Sequence, residues 1–307
     1  MTIFEAIILG LVEGITEYLP ISSTGHLILT EAALGLNKNP ATKSAVDTFT
    51  IVIQFGAILA VLGLYRTHVM RMIRGMMGKD SVGLKMATNV VIAVVPVLFI
   101  AKLLKDHIES KLFFPGPVLG ALAVGGIVML AIGPWQKKRV HDDRGEQPPP
   151  GVTMETLSPQ QALIIGIIQC LALWPGTSRS MVTIVGGMLI GMRPKQAAEF
   201  SFILGLPTLA AACAYSLWKN VHGHDPNMFD VLGVWPIVIG ILVATVSAAI
   251  AIAWLVRFLT QHGLAIFGWY RLILCGVFAM LIAQHLIELK PDAPKSPEPA
   301  AVHTPSN

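Results

Sequence analysis

The stretch from Glu13 to His26, EGITEYLPISSTGH, sets two carboxylates, two serines and a histidine into a part of the chain that is otherwise apolar. A charged group at membrane depth costs about 2.5–3.5 kcal/mol even on lenient insertion scales, so such residues face protein or a water-filled cavity and mark function. Glu13 and Glu17 are four residues apart, which stacks them on one helical face, where like charges repel by about 0.2–0.5 kcal/mol. A positive group is expected between them. Hard oxygen donors at this spacing suit a proton or a divalent cation, Mg²⁺ or Ca²⁺, better than zinc. Pro20 stops the helix, and Ser22, Ser23, Thr24 and Gly25 then suit a tight loop whose N–H and hydroxyl groups can surround an anion. Ser23 and His26 are three residues apart, close enough for the imidazole to orient or deprotonate a hydroxyl or a water.

A second constellation lies far downstream, PGTSRS from Pro175 to Ser180, again after an apolar run and again with proline at the break. Its guanidinium, Arg179, is always ionised and offers a planar donor fork matched to phosphate or carboxylate. With Thr177 and Ser178 beside it, phosphate capture is the natural reading. Two carboxylates on one break and an arginine on the other describe a site that holds an anion, with a divalent cation bridging to the acids. Taken singly, each has a plainer reading: a solvated helix face, a hydroxyl-rich turn, a structural salt bridge.

The elements that position these groups must be membrane helices. Of 307 residues 54% are hydrophobic and 13% charged, and the mean hydropathy is +0.67. The expectation is an all-α, polytopic integral membrane protein. The formal charge of +4 falls in short loops, so the basic residues report orientation and no nucleic acid is expected as a partner. Met1 to Asn37 holds no lysine or arginine, so a signal peptide is not expected and the first segment stays in the mature protein. Cys170, Cys213 and Cys275 lack CxxC spacing and read as core residues. The remaining histidines, His222 and His224 beside Asp225 included, lie in or beside loops without ligand spacing.

In chain order, a re-entrant helix-loop-helix unit at 3–34 precedes spans at 46–65, 86–104 and 118–135. Asp47 and Gln54 in the first span should face inward. The loop from Arg66 to Lys85 carries five basic residues and reads as cytoplasmic, its Met70 to Met77 strip as a membrane-surface helix. A basic, proline-rich linker at 137–157, again cytoplasmic, divides the chain into halves, 1–136 and 158–287. The second half repeats the order, with a re-entrant unit at 159–190 and spans at 197–218, 231–256 and 264–286. Three true spans per half reverse the orientation, so the halves form an inverted repeat, and broken helices at such an interface are where transporter-like folds place their sites. Gly10 with Gly14, and Gly187 with Gly191, make GxxxG faces for close helix packing. The tail, 288–307, has the composition of a disordered segment.

EGITEYLPISSTGH, DTFTIVIQFGAILAV from Asp47 and QCLALWPGTSRS from Gln169 closely resemble the bacterial undecaprenyl-diphosphate phosphatase family, also called bacitracin-resistance proteins, over essentially the whole chain up to the tail. The resemblance implies hydrolysis of undecaprenyl diphosphate to undecaprenyl phosphate and inorganic phosphate, which recycles the lipid carrier for peptidoglycan synthesis and confers bacitracin resistance. It implies a multi-pass protein of the bacterial cytoplasmic (inner) membrane, with a site facing the periplasm or cell exterior. Its partners would be the polyprenyl diphosphate and membrane lipids, and a homo-oligomer is compatible with it. Carried onto this chain, Glu13 and Glu17 would bind the divalent cation, Ser23 would be nucleophile or water-orienting group, and His26 would assist proton transfer. Arg179, with Ser178, Thr177 and Thr183, would hold the diphosphate, alongside Ser22 and Thr24 of the first loop. Met181 stands where many members have glycine. The rival reading is a secondary transporter or flippase of a polyprenyl phosphate lipid, because its architecture is the same. A type-2 phosphatidic-acid phosphatase is disfavoured, since Val185 stands where that class needs histidine.

Overall fold

The computed structural model describes residues 1–37, 39–112, 115–140, 151–223 and 227–284. The chain folds as α1 (Ile3–Thr16), α2 (Ser23–Ala33), α3 (Pro40–Leu64), α4 (Arg66–Met76), α5 (Ser81–Lys111) and α6 (Pro115–Val140). It continues with α7 (Pro159–Gln169), a 3-10 turn (Cys170–Leu173), α8 (Arg179–Leu189), α9 (Pro194–His222), α10 (Met228–Leu232), α11 (Val234–Gln261) and α12 (Ala265–Ala283). No β-strand occurs among the described residues; Val152 and Met192 form one isolated bridge. Six helices, α3, α5, α6, α9, α11 and α12, are long and apolar enough to cross a membrane. The fold is that of an all-α, multi-pass membrane protein.

The two expected helix-break-helix units are present as α1–α2 and α7–α8. Each begins with a capping box, in which a hydroxyl and an acid or amide reciprocally satisfy N–H groups that the first turn leaves free. Thr2 pairs with Glu5 ahead of α1, and Ser158 pairs with Gln161 ahead of α7, with Pro159 in the first turn. Five of the six spans run longer than their apolar cores suggested, because helices continue past the hydrocarbon into polar flanks; α5, for example, starts at Ser81 and carries Pro96 within it, whereas the last, expected at 264–286, is the shorter Ala265–Ala283. The stretch expected at 231–256 starts instead at Val234: Gly233, at φ 82°, separates it from α10. Asp47 is solvent-accessible on the isolated chain rather than turned inward. Lys38, the Phe113–Phe114 turn, residues 141–150 of the linker, His224, Asp225 and the tail from 288 lie outside the described residues.

What places the first break is the packing of α1 against α11. Any Cβ at Gly14 would overlap the Ser247 hydroxyl and one at Gly10 would lie 2.6 Å from the Gly240 carbonyl, so these glycines let the two backbones touch. The second GxxxG pair behaves differently. Gly187 does pack closely, against Ala197 of α9, but Gly191 lies past the end of α8 at φ 105°, where it turns the chain.

Candidate active site

Both breaks are built the same way. Ser22, at φ 75°, caps α2, its hydroxyl accepting from the Gly25 N–H at 3.4 Å. Ser178, at φ 74°, caps α8 by accepting from the Met181 N–H at 3.3 Å. These are the only residues other than glycine with positive φ among those described. A left-handed serine costs about 1–2 kcal/mol, and here it swings the chain so that two helix N-termini, each partly positive, meet. The two tips are tied directly: the Ser180 hydroxyl donates to the Leu19 carbonyl at 2.9 Å. Since that uses its one proton, the 3.0 Å contact between Ser178 and Ser180 has Ser178 as donor.

At this meeting point Arg179 donates through Nη2 to Glu17 Oε1 at 2.8 Å, and the Ser23 hydroxyl donates to Glu17 Oε2 at 2.8 Å. Arg179 Nη1 donates to the Ser201 carbonyl at 2.9 Å, and its guanidinium lies 5.4 Å from the Tyr18 ring centre. The arginine and Glu17 side chains keep only 14% and 7% of their exposure. Two groups in this buried cluster lack partners: both carboxylate oxygens of Glu13, and Arg179 Nε. The positive group expected between the two acids is therefore Arg179, whose hydrogen bond goes to Glu17 while its charge also acts on Glu13. Because unpaired buried polar groups are costly, the free Glu13 oxygens and the free Nε–H are places where a ligand cation and a ligand anion would each gain.

Some expected site residues take other places. His26 does not face Ser23. Its Nδ1 lies 2.7 Å from the Ser22 carbonyl and its Nε2 2.7 Å from the Tyr270 hydroxyl. A carbonyl can only accept, so in the neutral ring Nδ1 carries the proton and Nε2 accepts from Tyr270. The i,i+3 spacing failed as a guide because Ser23 opens α2 and its side chain points back along the chain to Glu17. Thr183 is fully buried behind the site. Its hydroxyl donates to the Arg179 carbonyl at 2.8 Å and lies 2.6 Å from Ser201 Oγ, so it braces the Arg179 backbone from behind. Thr24 is exposed, and Thr177 and Ser178 are half-buried at the mouth of the second break.

Three contributors were not read from the sequence. Arg271 in α12 is fully buried and donates to four backbone carbonyls: Leu122 (3.2 Å), Ala121 (2.9 Å), Gly176 (2.8 Å) and Thr177 (3.0 Å). It fastens the second break to α6 and α12. The signal was there, a lone arginine inside an apolar span. Gly205 leaves the space that the Arg179 guanidinium fills, and Gly125 does the same for Arg271 and the buried Met181. Among the described residues, no group of three or more His, Cys, Asp or Glu side chains is gathered around one point. Glu13, Glu17 and the Ser23 hydroxyl nevertheless give an all-oxygen set of the kind hard cations prefer.

Fold and site together define a multi-pass membrane protein whose buried acid–serine–arginine cluster is assembled from two broken helices. The chain belongs to the bacitracin resistance protein BacA family, whose model matches residues 6–277. It is 43% identical over 272 residues to an undecaprenyl-diphosphatase of Sorangium cellulosum, covering 88% of this chain and 83% of that protein. Similarity is comparable to undecaprenyl-diphosphatase 1 of Burkholderia lata, 41% identical over 91% of this chain and 95% of the relative. Undecaprenyl-diphosphatase 2 of Rhodospirillum rubrum is 41% identical over 88% and 91%.

Proposed function

We propose that this chain is an undecaprenyl-diphosphatase, hydrolysing undecaprenyl diphosphate to undecaprenyl phosphate and inorganic phosphate. The observation that carries the reading is the chain of contacts from Arg179 to Glu17 to Ser23 across the two breaks. An incoming diphosphate competes with Glu17 for the guanidinium, so Arg179 turns its donors to the substrate oxygens and Glu17 becomes free to accept a proton. Ser23 Oγ attacks the terminal phosphorus and its proton passes to Glu17 Oε2. The bond from that phosphorus to the bridging oxygen breaks, and undecaprenyl phosphate leaves with the electron pair. Water then cleaves the phosphoserine, releasing inorganic phosphate and restoring the hydroxyl. His26, reached through the Tyr270 hydroxyl, is the second proton station. Thr177, Ser178 and Thr24 line the two mouths and contact phosphate oxygens, and the buried Ser22 shapes the first loop from within.

The unpartnered Glu13 oxygens support a divalent cation, Mg²⁺ or Ca²⁺, held by Glu13 and Glu17; when bound it neutralises charge on the phosphate oxygens. The matching serine caps support the inverted-repeat arrangement about the linker at 137–157. The basic 65–80 connection supports a cytoplasmic placement of that side, and hence a site opening to the periplasm or exterior of a bacterial inner membrane. The diphosphatase names of the relatives weigh against the carrier reading. The test is phosphate release from a polyprenyl diphosphate by purified protein, with and without EDTA. Loss by about 10³-fold or more in a folded Ser23→Ala variant is expected of a nucleophile; activity within about tenfold of wild type would reassign the attack to water.

A further inference from the structure

The connection between α3 and α5 is not explained by the chemistry at the breaks. The apolar run of α3 ends at Leu64 and that of α5 begins at Ser81. The intervening α4 is therefore held at one membrane boundary. Its inner face is buried: Met72 packs in the core, and a Cβ at Gly75 would overlap the Leu84 backbone of α5, so α4 lies flat against the start of that helix. Among the described residues, nothing covers its outer face. Met70, Ile73, Met76 and Met77 are 49%, 40%, 65% and 61% exposed.

The charges that α4 itself carries are of one sign. The sequence of α4, RTHVMRMIRGM, contains three arginines and no acid. Among the described residues, the carboxylates that approach it, Asp80 and Glu155, lie at 3.2 Å and 3.6 Å from Arg71, and Glu155 also lies 3.9 Å from His68. Asp80 is further committed as the cap of α5, and the Gly83 N–H followed by Arg71 holds its carboxyl below the usual range. Among the described residues, Arg66 and Arg74 have no acidic partner. They flank Met70 four residues to either side, and with Thr67 and Arg71 they line an open cavity of about 320 Å³. A second cavity, of about 270 Å³, begins at the neighbouring Leu64 and Tyr65 and runs along Ile252 and Val256 to Arg257. A guanidinium-lined cavity next to a largely apolar one offers places for the phosphate and an acyl chain of a phospholipid.

We infer that α4 and the adjoining α3–α11 cleft form a binding site for an anionic phospholipid, with its phosphate at Arg66 and Arg74 and an acyl chain along Leu64, Ala253 and Val256. A helix with an apolar stripe and an uncompensated basic flank holds the interface more tightly where the headgroups are negative. A zwitterionic lipid would fill the cleft equally well and leave the arginines unmatched. The inference is independent of the reaction at the breaks.

The experiment uses the full-length protein in detergent, titrated with phosphatidylglycerol or phosphatidylcholine, with thermal unfolding and native mass spectrometry as readouts. In wild type, phosphatidylglycerol is expected to raise the Tm more and to be retained in preference at equal mole fraction. Each arginine near an anionic headgroup should contribute about fivefold to that preference. Arg66→Gln with Arg74→Gln should abolish it while leaving the phosphatidylcholine effect unchanged, and Arg66→Lys with Arg74→Lys should keep most of it. Equal retention of the two lipids by wild type, which needs no variant to fold, would overturn the site. So would an undiminished preference in the glutamine variant.

Discussion

The two breaks share one backbone solution and divide the chemistry between them. Each uses a left-handed serine to cap the helix that follows. The first then supplies anions and a hydroxyl, Glu13, Glu17 and Ser23, and the second supplies the cation, Arg179. They also differ in how they are held. The second break is pinned by Arg271 through the Gly176 and Thr177 carbonyls, whereas on the first, His26 holds the Ser22 carbonyl and meets a half-exposed Tyr270. A repeated scaffold thus does not imply a repeated role: the acidic side is the adaptable one, and the basic side is the anvil.

The strongest way to break this division is to remove its cation. Arg179→Ala leaves Glu17 buried and unpaired and should cost about 3–5 kcal/mol, with activity lost. Replacing both partners, Arg179→Met with Glu17→Leu, should recover much of the stability and none of the activity. Chemical denaturation of the wild type and the two variants checks this, and a double variant no more stable than Arg179→Ala would show that the pair is not the source of the cost. Next, Gly205→Ala should push the guanidinium off its position while the fold survives; a misplacement of about 1 Å is expected to lower kcat/KM about 10²-fold. Unchanged kinetics in a folded Gly205→Ala protein would mean that Arg179 reaches its working geometry only with substrate bound.

A smaller effect tests the anvil. Arg271→Lys keeps the charge but not the fork that reaches four carbonyls, and should cost about 2 kcal/mol as some of those carbonyls lose their donor. Hydrogen exchange should quicken at 174–180 and stay unchanged at 17–23; equal quickening at both would remove the asymmetry. The smallest effect compares the caps. Ser22→Gly trades a cap worth a few tenths of a kcal/mol against relief of left-handed strain, and should be neutral or slightly stabilising. Ser178→Gly also loses the hydrogen bond to Ser180 and should be about 1 kcal/mol less stable than its counterpart. Identical Tm changes would mean that the Ser178–Ser180–Leu19 link contributes nothing.

Much of this was legible because membranes make charge conspicuous. Glu13, Glu17 and Arg179 stand out from apolar surroundings, and the two proline-marked breaks with the six long spans follow from hydropathy. What sequence could not show is who meets whom. Ser23 and His26 looked like partners at their spacing, yet the turn at Ser22 sends one to Glu17 and the other to Tyr270. Thr183 shares a motif with Arg179 and lies behind it, because an i,i+4 step on a helix returns to the same face one turn deeper. Arg271 and Gly205 gain their meaning only from chain segments tens of residues away or more, where local periodicity carries no signal.

The close seating of α1 on α11 has a consequence for biogenesis. Gly10 and Gly14 wait for Gly240 and Ser247, more than 200 residues later in the chain. At roughly 5–20 residues per second of synthesis, the first hairpin, with its two acids, spends tens of seconds in or beside the insertion machinery before its permanent neighbour exists. The seating of α1 therefore waits until α11 has been made, and the first helix holds its two acids without its permanent neighbour until then.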